Sequence, residues 1–335
     1  MHVTSPLTEP FNASLALRQH GQEQIPNMMH NDLPTRPLGQ TGVNVSVLGF
    51  GGGHFARKHL SESESVRLVQ TAIDSGVSFM DNAWEYHQGE SERRMGLALQ
   101  GRRDRVTLMT KVCARDAKTA LAQLEDSLRR LQTDVIDVWQ FHEINYDNDP
   151  DWIFAAGGAI EAAEAARKAG KIRWIGFTGH KSPHILRKML DQDFAWDTVQ
   201  MPISVCDPFF RSFITQILPS LVARGIGCIG MKSLGGGAQF LESGLTPEQC
   251  RSFALHQPIS TLVTGIESQE NLEQDLQIAR NFQPLTDQEV AQIETLAKTV
   301  AADGRHEWYK TTQYYDSQYH RDQHGFPPID HVSGQ

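Results

Sequence analysis

The chain has 335 residues, of which 39% are hydrophobic and 8% aromatic, and a formal net charge of -9 at pH 7. That acidic balance excludes the basic stripe expected of a nucleic-acid-binding surface, and no run approaches the ~18 apolar residues of a membrane span. The length suits either two domains or one large α/β barrel, and the apolar content suffices for a packed core.

The first 28 residues are polar and punctuated by Pro6, Pro10 and Pro26. Ala13 to Leu17 is too short and too weakly apolar for a signal-peptide core, so residues 1–30 read as a flexible leader. Pro37-Leu38-Gly39-Gln40-Thr41-Gly42-Val43 reads as a small hairpin with Thr41-Gly42 at its turn. Short apolar runs then alternate with helical patterns. The runs are Val45–Phe50, Val77–Asp81, Val106–Val112, Val135–Phe141, Ile172–Phe177, Thr198–Val205, Gly227–Met231 and Thr261–Gly265. They are continuously apolar, as strands buried on both faces are.

Helix signals fill the gaps. Ser61-x-x-Glu64 is a capping box and Gly76 a left-handed cap. Leu121, Leu124, Leu128 and Leu131 keep the spacing of one buried face. Ser182-Pro183 opens a helix with proline at its first position. Ile214, Ile217, Leu218 and Leu221 form another apolar face before Gly225. Thr246-Pro247 and Ser268 start two more helices. Thr286-x-x-Glu289 caps an additional one, with Val290, Ile293, Leu296 and Val300 on its inner side.

Eight β-α units in series give a closed barrel or an open doubly wound sheet. An open dinucleotide-binding sheet needs G-x-G-x-x-G opening a helix after its first strand. Gly49-Phe50-Gly51-Gly52-Gly53-His54 runs into a loop instead, with the helix beginning only near Ser61. The expected fold is therefore an α/β (β/α)8 TIM barrel over residues 31–303, with the N-terminal β-hairpin plugging its bottom. An additional C-terminal helix and an aromatic-rich C-terminal tail, residues 304–335, complete it. Cys113, Cys206, Cys228 and Cys250 are scattered without a CxxC pair. That fits a reducing compartment and a cytoplasmic protein.

Four polar residues stand at strand ends. Asp81 closes one run, Lys111 lies near the end of the next, His142 follows the third, and Tyr86 comes five residues after Asp81. In a parallel barrel the C-terminal strand ends converge on one face, where catalytic groups collect. Carbonyl reduction needs a hydride on carbon and a proton on oxygen. A tyrosine of ordinary pKa about 10 becomes a better acid-base group beside a cation. Lys111 is placed to supply that cation, Asp81 to hold it charged, and His142 to aim the carbonyl. A polar strand-end residue also arises as a solvated group or a core ion pair. The order of these residues along three successive strands favours a shared site.

Asp81-Asn82-Ala83-Trp84-Glu85-Tyr86, the strand-end Lys111 and Gln140-Phe141-His142 resemble the aldo-keto reductase family. So do Leu38-Gly39-Gln40-Thr41-Gly42, Leu48-Gly49-Phe50-Gly51-Gly52, Ile175-Gly176-Phe177-Thr178-Gly179-His180, Val199-Gln200 and Leu234-Gly235-Gly236-Gly237. The resemblance covers about residues 33 to 300. It implies NADP(H), with NAD(H) or dual use also open, lying across the barrel top without a Rossmann fold. It implies Tyr86 as general acid, tuned by Lys111 and Asp81, with His142 orienting the carbonyl. It places Gly51 and Gly52 beside the cofactor, Thr178 and Gln200 on the nicotinamide carboxamide, and Ser233, Leu234 and Gly235 around the pyrophosphate. Gly265, Ile266 and Ser268 fall in the loop gripping the adenosine phosphate.

Two positions depart from that pattern. Met231 stands where many members stack a tyrosine on the nicotinamide. From Ser260 to Ile278 there is no Arg or Lys, whereas Glu267, Glu270, Glu273 and Asp275 are present. Those carboxylates repel a 2′-phosphate unless basic groups come from elsewhere, so weak discrimination between NADPH and NADH is expected.

His54, Phe55 and Trp84 are the expected substrate-pocket walls, joined by Tyr146 and Trp152 in the long loop from Glu143 to Gly158. The tail carries Trp308, Tyr309, Tyr314, Tyr315, Tyr319 and Phe326. It either covers the barrel mouth or docks outside the barrel or on a second subunit. His306, His320, His324 and His331 are read as solvated and no metal site is expected, because no ligand framework surrounds them. The sequence thus points to an NAD(P)H-dependent oxidoreductase interconverting a carbonyl and an alcohol. Its rivals are an oxidative sugar or polyol dehydrogenase, a non-catalytic nucleotide-sensing subunit, and a barrel isomerase or lyase with no redox step. The substrate is a small molecule, with neither nucleic acid nor membrane as partner.

Overall fold

The computed structural model describes residues 33–310 and 317–325. The leader expected over residues 1–30 lies outside them, as do Tyr314, Tyr315, Phe326 and His331 of the tail. Strands β1 (Thr35–Pro37) and β2 (Asn44–Ser46) pair antiparallel, with Arg36 opposite Val45. Their turn is tied by Leu38 N donating to Val43 O at 2.8 Å. Gly39 there has φ +55°, and a Cβ on it would come 2.4 Å from Gly227 N. Only glycine satisfies both the left-handed backbone and that approach.

The strands β3 (Leu48–Gly51), β4 (Phe79–Asp81), β5 (Thr107–Val112), β6 (Ile136–Phe141), β7 (Ile172–Thr178), β8 (Thr198–Pro202), β9 (Gly227–Met231) and β10 (Thr261–Gly265) follow. They form a closed parallel barrel, each strand beside its sequence neighbour and β10 beside β3. The run Val45–Phe50 is not one strand. Its first part belongs to the hairpin and its second to the barrel, and the chain bends between them where Val47 N donates to Pro34 O at 2.9 Å. The run Thr198–Val205 likewise ends as a strand at Pro202, which has no N–H to extend the ladder.

The continuous apolar runs conceal a period of two. Phe79, Met109, Val138, Ile229 and Val263 point inward and pack with Leu38 and Val45 of the hairpin. The hairpin therefore fills the bottom of the barrel. Two residues further along the same strands come Asp81, Lys111, Gln140, Met231 and Gly265, in the same inward phase one layer nearer the mouth. Met80, Leu108, Phe141, Phe177 and Val199 join the cluster between strands and helices. Each large side chain so buried contributes about 1.5–3 kcal/mol.

The helices are α1 (Glu62–Asp74), α2 (Glu90–Ala98), α3 (Ala117–Leu131), α4 (Asp149–Phe154), α5 (Ala159–Lys168), α6 (Pro183–Leu190), α7 (Phe213–Gln216), α8 (Leu218–Arg224), α9 (Pro247–His256), α10 (Gln269–Asn281), α11 (Asp287–Ala301) and α12 (Gln318–Gln323). Capping boxes at Ser61, Thr246 and Thr286 start α1, α9 and α11. Three expectations need correction. Leu121 is 38% exposed, because α3 buries Ala120, Gln123, Leu124, Ser127, Leu128 and Leu131. Leu296 is 36% exposed, and the inner face of α11 is Ile293, Ala297 and Ala301. The apolar face from Ile214 to Leu221 spans two short helices, α7 and α8. Pro219 lacks the N–H that would continue one helix through them.

Candidate active site

Asp81 and Lys111 end neighbouring strands with their side chains inside the barrel. They form a buried ion pair through Asp81 Oδ1. Lys111 Nζ also donates to Asn82 O at 2.7 Å and lies 3.5 Å from the Tyr86 hydroxyl. Gln200, at the inward phase of β8, donates from Nε2 to the second Asp81 oxygen at 3.3 Å. Its Oε1 is buried with no hydrogen-bond partner.

Tyr86 is presented by a tight turn. His87 and Gln88, at φ 52° and 57°, are non-glycine residues in the left-handed region, and Gly89 follows at φ 86°. Backbone strain of this kind, about 1–3 kcal/mol per residue, persists where the surroundings enforce it. His87 Nε2 lies 3.0 Å from Gly53 O and ties the turn to the loop after β3. The Tyr86 ring meets His142 edge to face at 5.6 Å between centroids. The four residues singled out at strand ends thus converge on one point of the mouth.

The electrostatics differ from the expected tuning. Burial pushes the Tyr86 phenol well above its ordinary value, and Asp81, Glu85 and Glu143 add to the effect. A cation was expected to lower it, but the Lys111 ammonium is held by Asp81 and Asn82 O. Lys232, just after β9, is lowered by burial, with Glu143 opposing and Lys111 adding to the shift.

Residues beside the four were not anticipated. Glu85 sets Oε1 at 2.6 Å from His142 Nδ1 and accepts from Cys113 Sγ at 3.0 Å on Oε2. The Cys113 thiol is pushed well above its ordinary value by burial and by Glu85. Arg115 clamps the two strand ends together. It donates to Cys113 O and His142 O, both at 2.8 Å, and pairs with Asp149 at 2.8 Å. The signal was available: Cys113 lies two residues beyond Lys111, in the same inward phase, and Glu85 adjoins Tyr86.

The tail also reaches this rim. His320 and His324 are buried rather than solvated, because α12 folds them toward Glu143. His324 Nε2 lies 3.6 Å from Glu143 Oε2, and His180 Nε2 3.6 Å from Oε1. Burial opposes ionisation of Glu143, yet the His324 bond and the charges of His142, His180 and His324 hold its carboxyl well below the usual range. His324 Nδ1 is 3.1 Å from Cys113 O, and Gln323 Nε2 donates to Cys113 Sγ at 3.3 Å. Burial drives His180 well below its ordinary value.

Of the expected pocket walls, two face elsewhere. Phe55 is fully buried against Phe50 beneath the loop. Trp84 turns to α3, where Arg130 stacks over its ring at 5.5 Å. His54 stays at the mouth, with Nδ1 3.0 Å from Glu267. Trp152 is 37% exposed on α4, and Tyr146 meets His324 at 6.0 Å.

The expected cofactor positions fare unevenly. Thr178 is buried at the end of β7, opposite Gln200 of β8, and Met231 ends β9 partly exposed. Gly51 and Gly52 pack so closely that a Cβ on either would come 2.6 Å from Thr264 O or Asp81 O. Ser233 accepts from Arg251 at 2.5 Å. Gly235 N donates to Lys232 O and Gly236 N to His306 O, so these amides are committed within the fold. Trp308 Nε1 donates to Gly236 O at 2.8 Å and covers the loop that contains Leu234. Gly265 abuts the His54 ring, Ile266 is buried, and Ser268 caps α10.

The absence of Arg and Lys after β10 is offset from elsewhere. Arg251 of α9 pairs with Asp275 at 3.0 Å, and Arg57 with Glu267 at 2.8 Å. Asp275 is therefore a buried ion-pair partner, not a free repelling charge.

The Aldo/keto reductase family profile matches residues 47–252. The chain is 31% identical over 215 residues to L-galactose dehydrogenase of Arabidopsis thaliana, a match spanning 60% of this chain and 66% of that protein. It is 27% identical over 229 residues to 6-dehydroglucose reductase of Novosphingobium aromaticivorans, covering 62% and 72%. Among solved structures, an aldo-keto reductase from Bacillus halodurans in its holo form superposes with a TM-score of 0.68 at 26% identity. That superposition covers 82% of this chain and 99% of that one. With the profile spanning more than half of its length on a matching barrel, the chain belongs to the aldo/keto reductase family.

Proposed function

We propose that the protein is a nicotinamide-dependent oxidoreductase interconverting a carbonyl and an alcohol, with Tyr86 as the proton donor. The observation that carries this is the convergence of Tyr86, the Lys111–Asp81 pair and His142 at the barrel mouth. The site fits the nicotinamide end of such a cofactor. Gln200 Oε1 is a buried acceptor with no partner, suited to a carboxamide N–H, and Thr178 lies beside it in register. Thr178, Gln200 and Met231 would hold the ring, and Ser233 with the loop after β10 the phosphates.

A nicotinamide held there would supply or accept the hydride at the substrate carbon. This chain's residues handle the oxygen. Tyr86, kept protonated by its buried, carboxylate-flanked setting, gives its proton to the developing alkoxide. Lys111 then faces the phenolate as it forms, close enough to stabilise the charge, while Asp81 and Asn82 O fix its direction. His142, edge to face with the Tyr86 ring, orients the carbonyl oxygen. Expelling water from this pocket strengthens each of these interactions.

Sugars are the favoured substrate class, because two relatives act on them by name, one a dehydrogenase and one a reductase. The same acid-base group serves both directions. Consumption of NADPH or NADH with a panel of aldehydes, quinones and keto-sugars tests the reading. Turnover with at least one carbonyl supports it. Tight cofactor binding with no turnover on any would favour a nucleotide sensor instead.

A further inference from the structure

We propose that Glu85, Cys113 and His142 bind a single zinc-class divalent cation at the barrel mouth. The three offer one ligand atom each, and no two of these atoms are more than 4.8 Å apart. Ligand atoms around tetrahedral zinc, with bonds of ~2.0–2.3 Å, sit about 3.3–3.8 Å from one another. Small side-chain rotations therefore bring all three into range. A thiolate, an imidazole nitrogen and a carboxylate form a mixed set of borderline softness, which suits zinc or cobalt better than magnesium or calcium.

A second observation points the same way. His142 is 5% exposed, and its Nδ1 is paired with Glu85 Oε1 at 2.6 Å. That contact brings an imidazole nitrogen and a carboxylate oxygen of the proposed ligand set face to face.

The supporting shell is built. Gln123 Oε1 accepts from Cys113 N at 2.9 Å and Ala114 N at 3.1 Å, fixing the cysteine. Arg115 ties Cys113 O to His142 O, so the two ligand-bearing strand ends keep their spacing. Partners of this kind orient ligands and sustain metal affinity. Gln323 of α12 donates to Cys113 Sγ and would turn aside when the ion binds.

Binding expels the thiol proton to solvent, leaving a sulfur–metal bond, and requires neutral imidazole with its proton on Nε2. The two anionic ligands then balance the ion's charge. The Nε2–H of His142 stays available to a substrate oxygen, so the site is compatible with the role proposed above. Three protein ligands leave the fourth position of a zinc ion for water or a substrate hydroxyl, the pattern of sites that do chemistry.

The test uses the purified full chain without substrate or nicotinamide, so its outcome is separate from that of the redox reading. Zinc content after exhaustive dialysis should be stoichiometric, and cobalt substitution should give a thiolate-to-cobalt charge-transfer band. Cys113→Ser should abolish the band, and Cys228→Ala, remote from the site, should retain it. Should Cys113→Ser fail to fold, X-ray absorption at the metal edge of the wild-type protein decides, with one sulfur ligand expected. Metal-free protein that gives no band with cobalt, a band surviving Cys113→Ser, or a metal shell without sulfur would each overturn the proposal.

Discussion

Lys111 Nζ stands 3.5 Å from the Tyr86 hydroxyl while bonded more closely to Asp81 and Asn82 O. The ammonium faces the phenol, yet the net effect of the resting site is to raise the phenol's proton affinity. Burial and the carboxylates Asp81, Glu85 and Glu143 dominate, and the phenol is held above its ordinary value. This relationship gives the first prediction. From about pH 6 to 9 Tyr86 keeps its proton, so carbonyl reduction, which needs the acid form, should run nearly level across that range. Alcohol oxidation needs the phenolate and should rise with pH through the same interval. Rate profiles in both directions check this. A reduction rate that falls by tenfold between pH 6 and 8 would place the proton on another group.

Cofactor choice should rest on ion pairs bridging separate elements. Glu267 is engaged by Arg57 and His54, and Asp275 by Arg251. With these carboxylates paired, NADPH and NADH should support turnover within a few tens of fold of each other. Glu267→Gln should shift the ratio of kcat/KM values toward NADPH by several-fold, the scale of a part-exposed pair worth about 0.2–1 kcal/mol. A hundredfold preference for NADPH in the wild-type enzyme would contradict this account.

The start of the tail is anchored by a buried cation. Lys310 is fully buried, with Nζ 2.7 Å from Asp207, 2.9 Å from Glu307 and 2.7 Å from Phe210 O. Lys310→Met leaves both carboxylates without their counter-charge, a loss of about 3–5 kcal/mol. Urea denaturation should show a lower midpoint with little change in slope. The variant should also loosen Trp308 from Gly236, so intrinsic tryptophan emission should shift to the red.

The loop after β9 admits no side chain at Gly236. A Cβ there would lie 2.0 Å from Trp308 Nε1. Gly236→Ala must therefore displace the indole, and should raise the cofactor KM more than it lowers kcat. An unchanged KM would separate this loop from cofactor binding.

What the sequence made legible was local or periodic. The capping boxes at Ser61 and Thr286, the hairpin at Gly39–Gly42 and the strand-end residues Asp81, Lys111 and His142 all follow from spacing along the chain. Apolar alternation does not mark Cys113, because runs buried on both faces look uniformly apolar, and its inward phase follows only from its two-residue spacing from Lys111. Trp84 was misplaced because its direction is set by Arg130, 46 residues away. His320 and His324 read as solvated because their burial depends on Glu143, far back in the chain. Leu121 and Leu124 are equally apolar, and only the seating of α3 on the barrel decides which is buried.

The central claim is that Tyr86 carries the proton. Tyr86→Phe removes one hydroxyl and leaves the ring against His142, so the fold and cofactor binding should survive. The direct measurement is single-turnover oxidation of bound NADPH or NADH by a carbonyl substrate, with cofactor affinity measured in parallel by fluorescence titration. The chemical step should slow by at least ~10²-fold with affinity unchanged within a few fold, in line with general acid catalysis. A Tyr86→Phe enzyme that turns over within a few fold of wild type would contradict it.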